Sequence, residues 1–174
     1  MKVKTRMNRW MQDLLGGDPA FYEPSSIETP ESLVALVKGG FKEVDGCVVP
    51  ANYPESSIWS EERRKVANID DETGFECSIS EIHIENHFDI PIEFEELVRT
   101  GNDLAFYLGN ELSKSDIKGN FRIIVGARHA DPRNNVGETC VVRFHRIRPD
   151  QVWLADNLEG YRHEAIAALD FLCE

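Results

Sequence analysis

Residues 121–146 read FRIIVGARHADPRNNVGETCVVRFHR, and this stretch decides the fold class that the sequence predicts. Residues 121–127 and 138–146 are rich in β-branched and aromatic side chains, which favour strands. Between them, residues 131–137 (DPRNNVG) are dense in turn-forming residues. The stretch therefore predicts two antiparallel strands joined by a long hairpin loop.

Upstream of this hairpin, an apolar stripe at helical spacing predicts a helix over residues 93–112. Gly101-Asn102 is a point at which that helix is expected to break into two. Residues 75–88 alternate between apolar and polar side chains, with a change of phase near Ser80. This pattern predicts a strand with a β-bulge.

The N-terminal part is predicted to be mainly helical. Residues 3–15 carry apolar side chains at helical spacing. A second helix is predicted to begin with Thr29 as its N-cap and Pro30 as its first residue, and to end at Gly39-Gly40. Residues 41–49 are predicted to form a strand, bent at Gly46.

Three further segments complete the expected organisation. Residues 50–71 are polar and are predicted to form a long loop or flap, of a kind that is often functional. Residues 151–155 are predicted to be a short strand. Residues 161–173 are predicted to be a helix because of their alanines, with a buried strand as the alternative.

Together these elements predict an α+β fold, with a mostly antiparallel sheet and N-terminal and central helices. The length favours one domain over residues 1–174. Its helical part is expected at about 1–40, and its sheet and central helix at about 41–174.

The composition excludes several classes of partner. The formal net charge is −12 at pH 7, from 31 acidic and 19 basic residues. This excess repels nucleic-acid phosphates and anionic lipids, so neither a nucleic acid nor a membrane is an expected partner. The N-terminal bases are followed by no apolar stretch of signal-peptide length. No apolar run approaches the roughly 18 residues of a spanning helix. We therefore expect a cytoplasmic protein.

No motif for catalysis or cofactor binding stands out. The four cysteines are far apart, without zinc-site spacing, and are expected to be buried free thiols. Phosphate-binding glycine loops and nucleophile-elbow motifs are absent from the sequence. We therefore expect no cofactor, no catalytic residue and no metal site, and predict that the protein is not an enzyme.

The histidines offer the main alternative. His83 and His87 alternate with Glu81 and Glu85. On a strand the two histidines would share a face but lie about 13 Å apart, too far for one metal ion. Either could still meet His129 or His145 from a neighbouring strand. This leaves open a metal-dependent enzyme that uses histidines and carboxylates of the sheet.

The charges are unevenly distributed along the chain. Residues 21–120 carry a net charge of −13, whereas residues 121–149, the basic hairpin, carry +4. Because arginine pairs with carboxylates through two parallel hydrogen bonds, the hairpin arginines are expected to pair internally. They are too few to neutralise all the acids, so an acidic face should remain. The arginines are Arg122, Arg128, Arg133, Arg143, Arg146 and Arg148.

In size, acidity and lack of a catalytic motif, the chain resembles the immunity proteins of bacterial toxin–immunity systems such as contact-dependent growth inhibition. Aromatic residues beside acids, such as Tyr53 and Trp59, would suit an interface core with a charged rim. That resemblance implies a cytoplasmic inhibitor that binds a cognate, basic toxin domain and occludes its active site. A second alternative is a structural or adaptor domain that self-associates, and the oligomeric state is open. The expected partner-binding residues are Glu55, Trp59, Glu61, Glu62, Asp70, Asp71, Glu72, Glu93, Glu95, Glu96 and Asp103.

Overall fold

The computed structural model describes residues 2–17, 30–54, 71–133 and 136–172, which adopt an α+β fold. The strands of its main sheet are β1 (Lys2–Met7), β4 (Ile82–His83), β5 (Phe121–Arg128), β6 (Thr139–Arg146) and β7 (Ala165–Leu172). They are hydrogen-bonded in the order β1-β7-β5-β6-β4, and every pair is antiparallel. The predicted fold class is therefore confirmed.

The hairpin of β5 and β6 lies inside the sheet, as predicted. Its register pairs Phe121 with Arg146 and Arg128 with Thr139. Alternate residues of β5, beginning with Phe121 and Ile123, enter the main hydrophobic core. The intervening residues include Ile124, which belongs to a second, smaller cluster on the opposite face. Both faces of the sheet centre are thus covered.

The helices in the described ranges are α1 (Arg9–Leu15), α2 (Glu31–Lys38), α3 (Glu72–Ile79) and α4 (Phe94–Lys114). None of them is long and apolar enough to cross a membrane. Helix α2 ends at Gly39, as predicted, but Pro30 is its N-cap and Glu31 its first residue, one residue later than predicted. Thr29, the predicted cap, lies outside the described residues.

Helix α4 packs against β5, β6 and β7 and is continuous, so the predicted break at Gly101-Asn102 is wrong. The glycine is explained by close packing, because a Cβ there would lie 2.5 Å from the Cys140 sulfur. A Cβ on Gly109 would lie 2.1 Å from the ring of Phe171. Both glycines let the helix approach the sheet.

The helix predicted over residues 3–15 is only half correct. Residues 2–7 form β1, which pairs along its length with β7. The helix begins after Asn8, whose side chain accepts a hydrogen bond from the Met11 amide. Alternating Lys2 and Lys4 leave β1 with an exposed, charged side, a feature of edge strands.

Residues 41–50 form a hairpin instead of one bent strand. Its strands are β2 (Phe41–Val44) and β3 (Cys47–Pro50). The two residues between them have positive φ angles, +50° at Asp45 and +78° at Gly46. This is the backbone of a tight two-residue hairpin turn, for which Asp-Gly is a favoured sequence.

The bulged strand predicted over residues 75–88 is wrong. The segment continues α3 to Ile79, pairs briefly with β6 as β4, and then forms a 3-10 turn at Ile84–His87. Asp71 begins α3 by accepting a hydrogen bond from the Gly74 amide. The apolar residues that appear to alternate in the sequence lie in helix α3, in β4 and in the 3-10 turn, where several of them reach the core.

Two predictions in the C-terminal part are also wrong. Residues 165–172 form β7, between β1 and β5, so the helix predicted over 161–173 is replaced by its strand alternative. Residues 151–155 form no strand, and only Gln151 makes an isolated bridge, to Arg148. In the predicted loop at 50–71, residues 55–70 lie outside the described residues.

Candidate partner-binding surface

Most arginines of the basic hairpin are held by internal carboxylates, as expected. Arg122 donates twice to Asp170 on β7, at 2.6 and 2.9 Å. Arg143 donates to Glu81 at 2.6 Å. Two more pairs follow this pattern, Arg146 with Glu43 and Arg148 with Glu76. Most of the positive charge of the hairpin is therefore paired with carboxylates of the same chain.

Glu76 is the most buried of these acids, with no exposed surface. Its Oε1 accepts from the Val48 amide at 2.7 Å and from Arg148 at 2.9 Å. Its Oε2 accepts from the Arg146 amide at 2.8 Å and again from Arg148 at 2.7 Å. One carboxylate on α3 thus joins the β2–β3 hairpin to the end of β6.

Side chains also form hydrogen bonds with the backbone of β6 along the part of its edge that the short strand β4 leaves unpaired. The Cys140 amide donates to Glu85 Oε2 at 3.0 Å. The Ser80 hydroxyl accepts from the Phe144 amide at 2.9 Å and donates to its carbonyl at 3.0 Å. Further along this edge, Glu76 accepts a hydrogen bond from the Arg146 amide. A partner cannot easily add a strand here and must instead contact side chains.

The histidines are placed apart. His83 contacts two acids, Glu85 at 2.8 Å and Glu81 at 3.4 Å, and His87 pairs with the Ser32 hydroxyl at 3.0 Å. Burial lowers the pKa of His87. Across the described ranges, no three His, Cys, Asp or Glu side chains are grouped so that they could hold a metal ion.

The other two histidines of the metal hypothesis lie elsewhere. His129 stacks against Phe94, with ring centroids 3.9 Å apart, and pairs with Glu138 at 3.2 Å. His145 is buried, and its Nδ1 donates to the Arg146 carbonyl at 2.8 Å. Neither joins His83 or His87 in a common site.

The cysteines that the structure describes are buried and form no disulfide with one another. They are Cys47, Cys77 and Cys140, and burial raises the pKa of the latter two thiols. A raised pKa keeps a thiol protonated and weakly nucleophilic. The expectation of burial is confirmed for all three and that of free thiols for Cys77 and Cys140, and Cys173 lies outside the described residues.

A small groove lies where the 3-10 turn leads into α4. Its volume is about 200 Å³, and it is lined by Glu85, Phe88, Ile90, Pro91, Ile92, Leu97 and Glu138. We call it the acidic groove, because its apolar floor lies between two carboxylates. Ile90 is 71% exposed, an unusual position for a large aliphatic side chain.

Four more carboxylates lie close in sequence to the lining residues of the acidic groove. Asp89, Glu93 and Glu95 are exposed, and Glu96 is half-buried. In the part of the chain that the structure describes, none of the four forms an ion pair. No ion pair within the described chain therefore compensates these four carboxylates, which lie near the exposed Ile90 in sequence.

The structure separates the other predicted binding residues from this groove. Asp71 caps α3, and Glu72 accepts from Gln151 at 2.6 Å, so both stabilise a different region. Asp103 is only 7% exposed and is not available to a partner. The remaining predicted residues lie outside the described ranges: Glu55, Trp59, Glu61, Glu62 and Asp70.

Two larger cavities were not foreseen. One, of about 310 Å³, has mainly aliphatic and aromatic walls between α2, α4 and β6, with His83 and His87 in its lining. The other, of about 620 Å³, lies at one end of the sheet and is lined by several basic residues, among them Arg128 and Arg162. Both are built from segments distant in sequence.

The chain is thus an α+β protein that has one antiparallel main sheet and an acidic, partly apolar surface groove. The chain matches the family model described as Uncharacterized protein PM0498 over residues 6–173, and it belongs to that family. No curated protein and no solved structure matches it.

Proposed function

We propose that this protein is a binding protein rather than an enzyme, and that it captures a basic partner protein through the acidic groove. The observation that carries the proposal is the exposed Ile90 in a groove whose lining includes Glu85 and Glu138. The segment that carries Ile90 also carries the exposed acids Asp89 and Glu93. Protein interfaces combine an apolar anchor with a polar rim in this way.

Electrostatics supports a basic partner. The hairpin arginines that pair internally leave Asp89, Glu93 and Glu95 uncompensated on the surface. Exposed charges act over about 8 Å at physiological ionic strength, so these acids act together on an approaching protein. Such complementary charge raises association rates by roughly 10- to 1,000-fold.

The resemblance to immunity proteins suggests what the captured partner is. Fast electrostatic capture suits an inhibitor that must reach an incoming toxin before it acts. In this proposal the acidic groove covers the basic active site of a cognate toxin domain in the cytoplasm. Glu93, Glu95 and Glu96, which lie next to the groove residues in sequence, are among the binding residues predicted from the sequence.

The test is co-expression with a basic protein encoded next to this one, followed by measurement of association rate and Kd. The Glu93→Lys/Glu95→Lys double variant should lower the association rate at low salt by about tenfold or more. Its matched control is Asp116→Lys/Asp150→Lys, which makes the same change in net charge at exposed positions away from the groove. The control should retain nearly full binding.

Ile90→Ala tests the apolar anchor separately. Loss of an anchor in an interface core commonly costs about 1.4 kcal/mol or more, which is tenfold in Kd. This change should raise the dissociation rate and leave the association rate unchanged. Equal effects of the groove and control charge variants, or no effect of Ile90→Ala, would show that the partner binds elsewhere.

A further inference from the structure

The larger unforeseen cavity lies at the end of the sheet where β5 finishes and where β6 and β7 begin. We call it the cationic cleft, and its chemically distinctive lining residues are Trp10, Arg128, His129, Arg133, Arg162 and His163. At about 620 Å³ it falls within the range of small-molecule sites, roughly 300–1,000 Å³. The cleft concentrates basic side chains in a protein whose net charge is −12.

Its arginines differ from the other arginines of the basic hairpin. Four of those pair with carboxylates across the fold. Within the described ranges, Arg128 and Arg162 form no ion pair and no side-chain hydrogen bond, and both are exposed. Arg133 donates to Asp131 in the same loop, at 3.0 and 3.2 Å. The cleft therefore presents two guanidinium groups that are available to an anion.

The walls of the cleft are held in place by Asn8. Its side-chain amide donates to the carbonyls of Tyr161 and Glu164, at 3.3 and 2.8 Å. Its carbonyl oxygen accepts from the Met11 and Ile166 amides, both at 3.0 Å. These bonds join the segment that carries Arg162 and His163 to the first turn of α1, which carries Trp10.

Two aromatic rings belong to the same lining as these basic side chains. The rings of Trp10 and His129 lie with centroids 5.6 Å apart, tilted by 32°. His129 is supported on its other side by Phe94, and its Nδ1 pairs with Glu138. A partly exposed indole beside free arginines can stack against a planar ring while the arginines bind a charged group.

We infer that the cationic cleft binds a nucleoside phosphate, with Arg128 and Arg162 on the phosphate oxygens and the base against Trp10. Guanidinium groups bind phosphate through two parallel hydrogen bonds, which a single surface lysine cannot do. Asp131 also lines the cleft, but it pairs with Arg133, and Glu138 of the neighbouring acidic groove pairs with His129. Acids more than about 8 Å away are largely screened at physiological salt. The site is separate in residues and ligand from the acidic groove.

The test is calorimetric titration of the full chain with ADP, and separately with adenosine and with inorganic phosphate. ADP should bind, and each fragment should bind at least about tenfold more weakly because it lacks one half of the contacts. Arg128→Gln and Arg162→Gln should each weaken ADP binding by roughly tenfold or more, as expected for a lost charged hydrogen bond. Both side chains are exposed, and thermal melting should confirm that the variants stay folded.

Lys118→Gln is the matched control, because it removes one exposed positive charge at the opposite end of β5. It should leave the affinity for ADP unchanged. Equal weakening by Lys118→Gln, phosphate binding as tight as ADP binding, or no heat with ADP at about 1 mM would overturn the inference. Tighter binding of a glutamate-rich peptide than of ADP would overturn it as well, and would assign the cleft to a protein ligand.

Discussion

Replacing Glu76 with glutamine should destabilise the protein more than any other single carboxylate-to-amide change in the described chain. Glu76 has no exposed surface, and each of its two oxygens accepts one backbone N–H and one Arg148 N–H. Glutamine keeps the shape but turns one oxygen into an NH₂ group. That NH₂ group, itself a donor, would face one backbone N–H and one Arg148 N–H, and neither of these donors would have an acceptor.

The magnitude follows from these four hydrogen bonds. Two buried N–H groups lose their acceptor, at about 1–3 kcal/mol each, which gives about 2–6 kcal/mol. Breaking a buried ion pair by removing one partner costs about 3–5 kcal/mol, in agreement. We expect Glu76→Gln to lower the free energy of unfolding by about 4 kcal/mol. At about 2–4 °C per kcal/mol for a chain of this size, Tm should fall by roughly 8–16 °C.

The assay is denaturant unfolding followed by circular dichroism, with Glu81→Gln as the matched control. Glu81 also pairs with an arginine, but its side chain is 36% exposed and that of Arg143 is 27% exposed. Solvent screens this pair, so the control should lose less than about 1 kcal/mol. A loss below about 1 kcal/mol for Glu76→Gln would refute the reasoning. So would equal losses in the two variants.

Two further predictions concern packing and pH. In denaturant unfolding, Gly109→Ala should destabilise the protein by about 1–2 kcal/mol, because the clash of the new Cβ with Phe171 outweighs the gain in helix propensity. Asn110→Ala is the control. A Gly109→Ala variant more stable than the wild type would contradict the close helix–sheet contact. Burial lowers the pKa of His145 below its ordinary value near 6.5, so the unfolded chain binds the proton more readily and stability should fall as pH drops below about 6.5. His145→Gln should flatten that part of the pH–stability curve, and an unchanged slope would assign it to other groups.

The hairpin of β5 and β6 could be predicted because its residues favour strands and its loop is dense in turn formers. Strand β7 could not, because a central strand covered on both faces has no apolar–polar alternation to distinguish it from a buried helix. Its alanines at positions 165, 167 and 168 fit between closely packed layers, although alanine favours helices in isolation. Packing against neighbouring strands and helices, and not helix propensity, therefore determines that this segment is a strand.

Two other errors had a usable signal in the sequence. Asp45-Gly46 between short apolar runs is a favoured hairpin turn, and reading it so would have separated β2 from β3. Asp71 followed by Glu72 is a helix start signal, which outweighs the apparent alternation of residues 75–88. In both places a short-range turn or cap was more informative than periodicity.

The candidate sites divide in the same way. Glu93, Glu95 and Glu96 are neighbours in sequence, so their joint location could be proposed from the charge pattern. The cationic cleft could not, because it joins Trp10 to Arg128 and Arg162 from opposite ends of the chain. The pairing of β7 with both β1 and β5, together with the Asn8 hydrogen bonds, brings these segments together.

That pairing has a consequence for synthesis of the chain. Lys2 lies opposite Leu172, and β7 is also the inner neighbour of β5. While the ribosome is still translating residues before 165, β1 has no partner and the inner edge of β5 is bare. At about 5–20 residues per second, the nascent chain spends several seconds in this state. Among the strands that the structure describes, β7 is translated last, and it joins β1 to β5, so the main sheet is completed only after β7 has left the exit tunnel.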